Sequence, residues 1–395
     1  MKVDPYKHEE RYLKWKQEVT ANKIKGVSSS NAKVILEYVL DMEAGINISI
    51  QSKKGMRSYP RLNNIRQRLL FIVKQLEELY QIEDITKITE REIFRYFGAM
   101  ATGEIRTQKG AIYKSRCDYV KVFKAFWHWW MKVNFKEGIV VQDITQDLDT
   151  TRSKPPWVYL DEEKIKLLAN NSKIEYRTLI WFLFDSGIRA PSELMNIRVN
   201  DLNAEYSELM VRDEVSKTFG RKIKLMLCSD FLREYIQLKG LKEGDYIFTI
   251  DPKNMNRYLK RLSEKLFGDS VSLGGEKFSN LTLYDLRHCS CCFWLNRYKS
   301  ESALKFRFGW KKSDKIHYYS EFLGMKDNIS DEDMLVDLTK TEIEQKLEKS
   351  EKKYDILLDK YNHMEEQLNL IYGKTNEIVR SIVDEYMKKE VIVDV

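Results

Sequence analysis

FDSGIRAPSELMNIRVNDL, residues 184–202, sets Arg189 directly after an apolar run and follows it with Pro191 and Glu193. The run that leads into it, YRTLIWFLFDSGI (176–188), reads as a buried helix. Upstream of that, DEEKIKLLAN (161–170) reads as another helix. Downstream, ELMVRDEVSKTFGRKIKLML (208–227) alternates apolar and polar residues around Gly220, the pattern of two strands joined by a turn. Helical patterns follow over 254–267, 282–298 and 301–308. The region 158–330 is therefore expected to be mainly α with a small antiparallel β-sheet.

Before it, VQDITQDLDTTRSKPPW (141–157) is polar, poor in apolar residues and ends on a proline pair, so residues 146–157 read as a linker. Residues 1–30 read as a polar segment ending in the loop GVSSSN. Residues 31–145 read as a small all-helical domain. Its helices are NAKVILEYVLDM, then RLLFIVKQLEELY, then the helix that begins after a Thr89–Glu92 capping box, then KSRCDYVKVFKAFWHWWMKVN (114–134). Trp127, Trp129 and Trp130 are expected in its core. The last of these helices also carries Lys114, Arg116, Lys121 and Lys124, and the basic stretch QSKKGMRSYPRLNNIRQR (51–68) carries Arg66 and Arg68. These six residues are the candidates for phosphate contacts.

The tail, 331–395, differs from both. Ile343, Leu347, Ser350, Tyr354, Leu357, Tyr361, Met364, Leu368, Ile371, Thr375, Ile378 and Ile382 recur in alternating steps of four and three. That is a heptad series, expected to form a coiled coil, with a long amphipathic helix folded onto its own body as the alternative.

Charge follows the same divisions. Residues 1–157 hold 28 Lys and Arg against 19 Asp and Glu, residues 158–330 hold 29 against 24, and the tail holds 10 against 17. A basic body with an acidic tail suits a polyanion such as DNA, although a lysine-rich genome would produce the same bias. No stretch of about 18 apolar residues marks a membrane span. The opening MKVDPYKHEERYLKWKQ has no apolar core of a signal peptide. Five cysteines, an odd number, are no disulfide framework and point to a reducing cytoplasm. HCSCC (288–292) lacks the paired spacing of a metal site and reads as buried helix thiols.

Several motifs, taken in order, resemble the tyrosine recombinase (phage integrase) family. SGIRAPSEL looks like its first arginine motif, with Arg189 as the first catalytic arginine and the SEL of 192–194 on the helix that follows. The family places an acidic residue three positions after that arginine. Here Glu193 is four after, and Pro191 looks like the added residue. Lys217, in VSKTFGRKIKL, matches the family's hairpin lysine. TLYDLRHCSCCFW matches the second arginine motif, with Arg287 as the arginine and Tyr284 where the family has histidine. FRFGWKKSDKIHYY matches the last motif, with Trp310 at a position where some members carry tryptophan. The family's nucleophile lies nine residues further on, which selects Tyr319 and leaves Tyr318 to pack beside Ile316 and Phe322. The tyrosine of the YxxR motif and the lysine-rich composition also resemble archaeal mobile-element integrases.

The resemblance implies a DNA core-binding domain at 31–145 and a catalytic domain at 158–330, forming a basic clamp on duplex DNA that carries specific recombination sites. It also implies tetramers in synapsis and a covalent 3′-phosphotyrosyl intermediate that needs neither cofactor nor metal. Arg189 and Arg287 would clamp the nonbridging phosphate oxygens, and Lys217 would protonate the leaving 5′-oxygen. Trp310 and Tyr284 would donate N–H and O–H bonds, with His288 as an alternative helper. Two rival readings stay open: a type IB topoisomerase-like enzyme that relaxes DNA, and a DNA-binding protein whose catalytic site has decayed.

Overall fold

The structure, a computed structural model, describes residues 3–324, apart from 20–23, 50, 51, 53, 109, 153 and 299, together with scattered positions between 354 and 379. The chain divides into two units, Met1–Gly324 and Met325–Val395. Among the described residues of the first unit, the buried side chains gather into two separate cores.

The first core is helical. It is built by α1 (His8–Glu18), α2 (Ser29–Ala44), α3 (Tyr59–Tyr80), α4 (Glu90–Thr102) and α5 (Arg116–Lys136). The expected capping box at Thr89 and Glu92 starts α4, satisfying two amide donors that the helix cannot bond itself. From there Ile93, Tyr96, Phe97 and Met100 fall on one face and are buried. On α5, Trp127 and Trp129 are buried and Trp130 packs against the same core. Residues 1–30 are more than the polar lead expected from their composition. They contain α1, which packs along α3, and its Tyr12 ring is fully buried with the hydroxyl 2.9 Å from Glu43. One buried aromatic face is enough to dock a short helix that otherwise looks solvated.

The second core takes α6 (Glu162–Asn170), α7 (Ile174–Ser186), β1 (Glu208–Val211), β2 (Arg221–Lys224), α8 (Ser229–Lys239), α9 (Pro252–Phe267), α10 (Leu283–Leu295), α11 (Glu301–Phe308) and α12 (Asp314–Phe322). The strands are antiparallel, with Glu208 opposite Lys224 and Val211 opposite Arg221. α10 is buried nearly all round and packs against α7, α11 and α12, which makes it the central helix. Cys289, Cys291 and Cys292 on α10 and Cys228 at the start of α8 are buried free thiols of this core. Trp157, placed at the end of the linker by its proline pair, belongs to this core as well.

The tail is described only in part. Tyr354, Leu357, Tyr361, Met364, Leu368 and Ile371 are helical and exposed. The heptad positions Ile343, Leu347, Ser350, Ile378 and Ile382 lie outside the described residues. No helix among the described residues is long and apolar enough to cross a membrane.

Candidate active site

Two helix ends build the centre of the site. α7 stops at Gly187 and α11 stops at Gly309, each with φ of +60°. A side chain is unwelcome at either place. A Cβ on Gly187 would lie 2.3 Å from the Phe308 ring, and one on Gly309 would lie 3.0 Å from the Arg221 guanidinium. The carbonyls freed at these ends hold the two arginines. Arg287 donates to the Gly187 carbonyl and, at 2.7 Å, to the Phe308 carbonyl. Arg189 donates to the Gly309 carbonyl at 2.9 Å. The guanidiniums thus rest on consecutive carbonyls, and burial together with the Arg189 charge lowers the Arg287 pKa.

Glu193 secures Arg189. Its carboxylate accepts from the Arg189 backbone amide at 2.9 Å and from its guanidinium at 2.7 Å. It also pairs at 2.8 Å with Arg221, and both of those side chains are wholly buried. Burial alone would raise the carboxyl, but the hydrogen bonds and charges of Arg221 and Arg189 outweigh it and bring Glu193 down to about 2. The four-residue offset therefore does not separate the acid from its arginine. The Ala190–Pro191 peptide is cis, and the SEL of 192–194 lies in a tight turn ending in the 3₁₀ segment Leu194–Asn196 rather than on the α-helix expected for it. The carboxylate folds back onto Arg189 from that turn. Arg221 was missed by the sequence reading. It faces inward on β2, where the alternation calls for an apolar residue, and that break in the pattern was its only signal.

Lys217 lies exposed on the connection between β1 and β2. Its neighbours tie that connection to the site: Ser216 donates to Glu193 at 3.4 Å, and Thr218 donates to the Gly309 carbonyl at 2.9 Å. The connection that carries Lys217 is thus anchored to Glu193 and to the carbonyl that Arg189 also bonds, with the Lys217 side chain itself exposed.

Tyr319, on α12, is buried, with only 4% of its surface exposed. Its ring is stacked on Trp310, which is itself stacked on Phe308. The phenol oxygen is 2.5 Å from Nδ1 of His288. Burial pushes this phenol far above its usual value, and the charge of Arg287 pulls it only part of the way back. Burial, with Arg287 and Lys315 nearby, lowers His288 to about 4. Tyr284 is half exposed, its ring edge-on to His288.

Tyr318 does more than pack beside Ile316 and Phe322. Its hydroxyl accepts the Trp157 indole N–H at 3.0 Å, and Lys154 and Lys315 lie over its ring. Trp157 also stacks on His288 and touches Phe322. Over this cluster opens a cleft of about 510 Å³ whose lining includes Arg152, Lys154, Lys315, Tyr284, His288 and Tyr318.

The six candidate phosphate contacts of the first core fare unequally. Arg66 is buried. Its guanidinium bonds Asn63 at 2.9 Å and the Arg11 carbonyl, and it lies over the Trp15 ring, so it joins α1 to α3 and does not face a ligand. Arg68 pairs with Asp118 and Arg116 with Asp149. Lys124 donates to the Gln146 carbonyl, whereas Lys114 and Lys121 are exposed. Lys121 and Lys124 share a groove of about 320 Å³ with Arg57, Arg61 and His128. The basic stretch 51–68 held the signal for Arg57 and Arg61, which the sequence reading did not single out.

No protein-family model matches the sequence, and no curated protein matches it. Solved structures do. A lambda integrase dimer bound to a COC′ core site is similar over 82% of this chain and 85% of that one, with a TM-score of 0.55 at 16% identity. The Tn1549 transposon integrase (residues 82–397) in complex with circular intermediate DNA covers 74% and 94%, with a TM-score of 0.53 at 16% identity. The chain has the tyrosine recombinase fold. A third structure with the tyrosine recombinase fold, a lambda integrase tetramer bound to a Holliday junction, matches 78% of this chain and 87% of its own, at 17% identity and a TM-score of 0.53. The second core brings Arg189, Tyr284, Arg287, Trp310 and Tyr319 into one neighbourhood, while Lys217 lies exposed on the β1–β2 connection. To them it adds Glu193, Arg221, His288 and Trp157.

Proposed function

We propose that the chain is a site-specific DNA recombinase that cuts and rejoins duplex DNA through a 3′-phosphotyrosyl intermediate. One observation carries the reading: a buried tyrosine hydroxyl lies within the electrostatic reach of Arg287, and the guanidiniums of Arg287 and Arg189 are fixed on the consecutive carbonyls of Phe308 and Gly309. Such a pair offers planar, permanently charged donors to the nonbridging oxygens of a phosphodiester, where negative charge builds during transfer. Tyr319 attacks phosphorus, the bond from phosphorus to the 5′-oxygen breaks, and Lys217 gives that oxygen a proton. A 5′-hydroxyl from another strand then reverses the step and frees Tyr319. The phosphodiester energy is kept in the tyrosyl ester, so the step needs no ATP. The charge on the two arginines does the work that a metal ion would do.

The named solved complexes, on core-site DNA, circular intermediate DNA and a Holliday junction, support duplex DNA as the substrate class and a tetramer as the working assembly. The exposed Lys114 and Lys121, together with the groove of Arg57 and Arg61, would track phosphates from the first core, giving salt-sensitive binding. The reading is tested with a nicked duplex that the chain has selected from a random-sequence pool. The full chain is expected to form a denaturant-stable DNA adduct at the same rate with and without EDTA. Failure to trap any adduct, or a rate that collapses with EDTA, counts against it.

Residues 331–395 are then an assembly device in which the heptad face pairs copies of the chain. The acidic balance of the tail keeps it off DNA. A chain ending at Asp331 is expected to show a lower mass by light scattering while still binding a half-site. An unchanged mass would remove the tail from assembly.

A further inference from the structure

His288 follows Arg287 directly and stands outside the set of residues that the motif spacing singles out. We infer that it is the general base that takes the proton of Tyr319, an inference that rests on the strand-transfer reading above. Its Nδ1 is 2.5 Å from the phenol oxygen, and it is the one proton acceptor in hydrogen-bond contact with that oxygen among the described residues. Among the described residues, the neighbouring Tyr284 and Asp285 offer no substitute. Tyr284 stands where the motif places a histidine, but its ring meets His288 edge-on and it is half exposed. The Asp285 carboxylate is engaged by Thr282 and by the Val158 amide.

The surroundings fix the ring for this task. Trp157 is stacked on one side at 4.8 Å between centroids, and Trp157 in turn bonds the Tyr318 hydroxyl. The charged and titratable groups facing His288 are Tyr284 and Arg287 from its own helix, and Lys315 and Tyr319 from α12. Burial, with the positive charges of Arg287 and Lys315, keeps the imidazole neutral above about pH 4, so a lone pair is available on Nδ1 when the proton sits on Nε2. The phenol is held neutral by its own burial, so its proton must leave during attack rather than before it.

The step balances. The phenol oxygen bonds phosphorus as its proton passes to Nδ1, and the 5′-oxygen departs with a proton from Lys217. In rejoining, the imidazolium returns the proton to the departing Tyr319 oxygen.

The test measures single-turnover adduct formation by the full chain on its selected duplex, nicked and carrying a 5′-bridging sulfur at the cleaved phosphate. A thiolate leaves without a proton, so Lys217 drops out of the rate. Wild type is expected to show a flat rate from about pH 6 to 9, because its base is neutral throughout. His288→Gln keeps a hydrogen-bond acceptor but cannot take a proton. It is expected to bind the duplex normally, to form adduct about 10²–10⁴-fold more slowly at neutral pH, and to speed up about tenfold per pH unit as hydroxide takes over. A His288→Gln rate equal to wild type overturns the inference. So does a slower rate with an unchanged pH profile, which would make His288 a positioning residue only. If the variant fails to fold, the wild-type profile decides alone: a tenfold rise per pH unit means that hydroxide is the base. Tyr319→Phe separates the two claims. Adduct from wild type but not from Tyr319→Phe upholds the strand-transfer reading whatever His288 does. No adduct from wild type removes both.

Discussion

Replacing Glu193 with Gln is expected to cost about 3–5 kcal/mol of stability, because it leaves the wholly buried Arg221 charge without its partner. The loss should appear in urea titrations at neutral pH as a lower midpoint for the second core. A change under about 1 kcal/mol would mean that the carboxylate is a bystander. The pH dependence gives a second signature. The folded carboxyl sits at about 2, below the unfolded value of about 4.3. Its contribution is therefore fully present above the unfolded value and is lost as pH falls toward 2. Wild type should weaken across that window, and Glu193→Gln should have less left to lose. Adduct formation should fall with stability even where the variant stays folded. Glutamine keeps only one of the two acceptor oxygens, so Arg189 loses one of the bonds that hold its backbone amide and its guanidinium in place, and a clamp that must be reorganised before each turnover stabilises the developing charge less.

Tyr319→Phe is expected to abolish the covalent adduct and to leave DNA binding intact, since both arginines and the basic surface remain. Tyr318→Phe should still form the adduct. Adjacent side chains on a helix diverge by about 100°, so the two hydroxyls cannot serve one phosphate from the same α12. Tyr319 turns inward to His288, and Tyr318 turns toward Trp157 and the two lysines. Tyr318→Phe deprives the Trp157 indole N–H of its acceptor, so a modest slowing is expected through loosened packing around His288. Mass spectrometry of the digested adduct should place the nucleotide remnant on Tyr319. A remnant on Tyr318 would move the nucleophile by one residue and dissolve the role given to His288.

The decayed-site reading rested on two features that the fold accommodates. The offset at Glu193 looked like a damaged motif. In three dimensions the extra residue is taken up in the turn around Pro191, and the acid still grips Arg189. The tyrosine at 284 departs from the family pattern in the same way, and His288, one turn further along α10, reaches the Tyr319 hydroxyl instead.

Much of the architecture was legible because it depends on local order. Helix faces repeat every 3.6 residues, so α4, α5 and α7 could be read from their apolar positions, whereas Arg189, Lys217, Arg287, Trp310 and Tyr319 were singled out by the resemblance of their motifs to the tyrosine recombinase family. Local order also misled where burial overrode composition. Arg66 lay in a basic run but closes the contact between α1 and α3, and α1 looked solvated although Tyr12 is buried. Three features were decided only by tertiary packing: the Glu193–Arg221 pair, His288 at the Tyr319 hydroxyl, and Trp157 bridging the linker to α12. Each joins residues from separate elements, 28 to 161 positions apart in the chain. Periodicity says which face a side chain takes. Only the packing of one element on another says which partner it meets there.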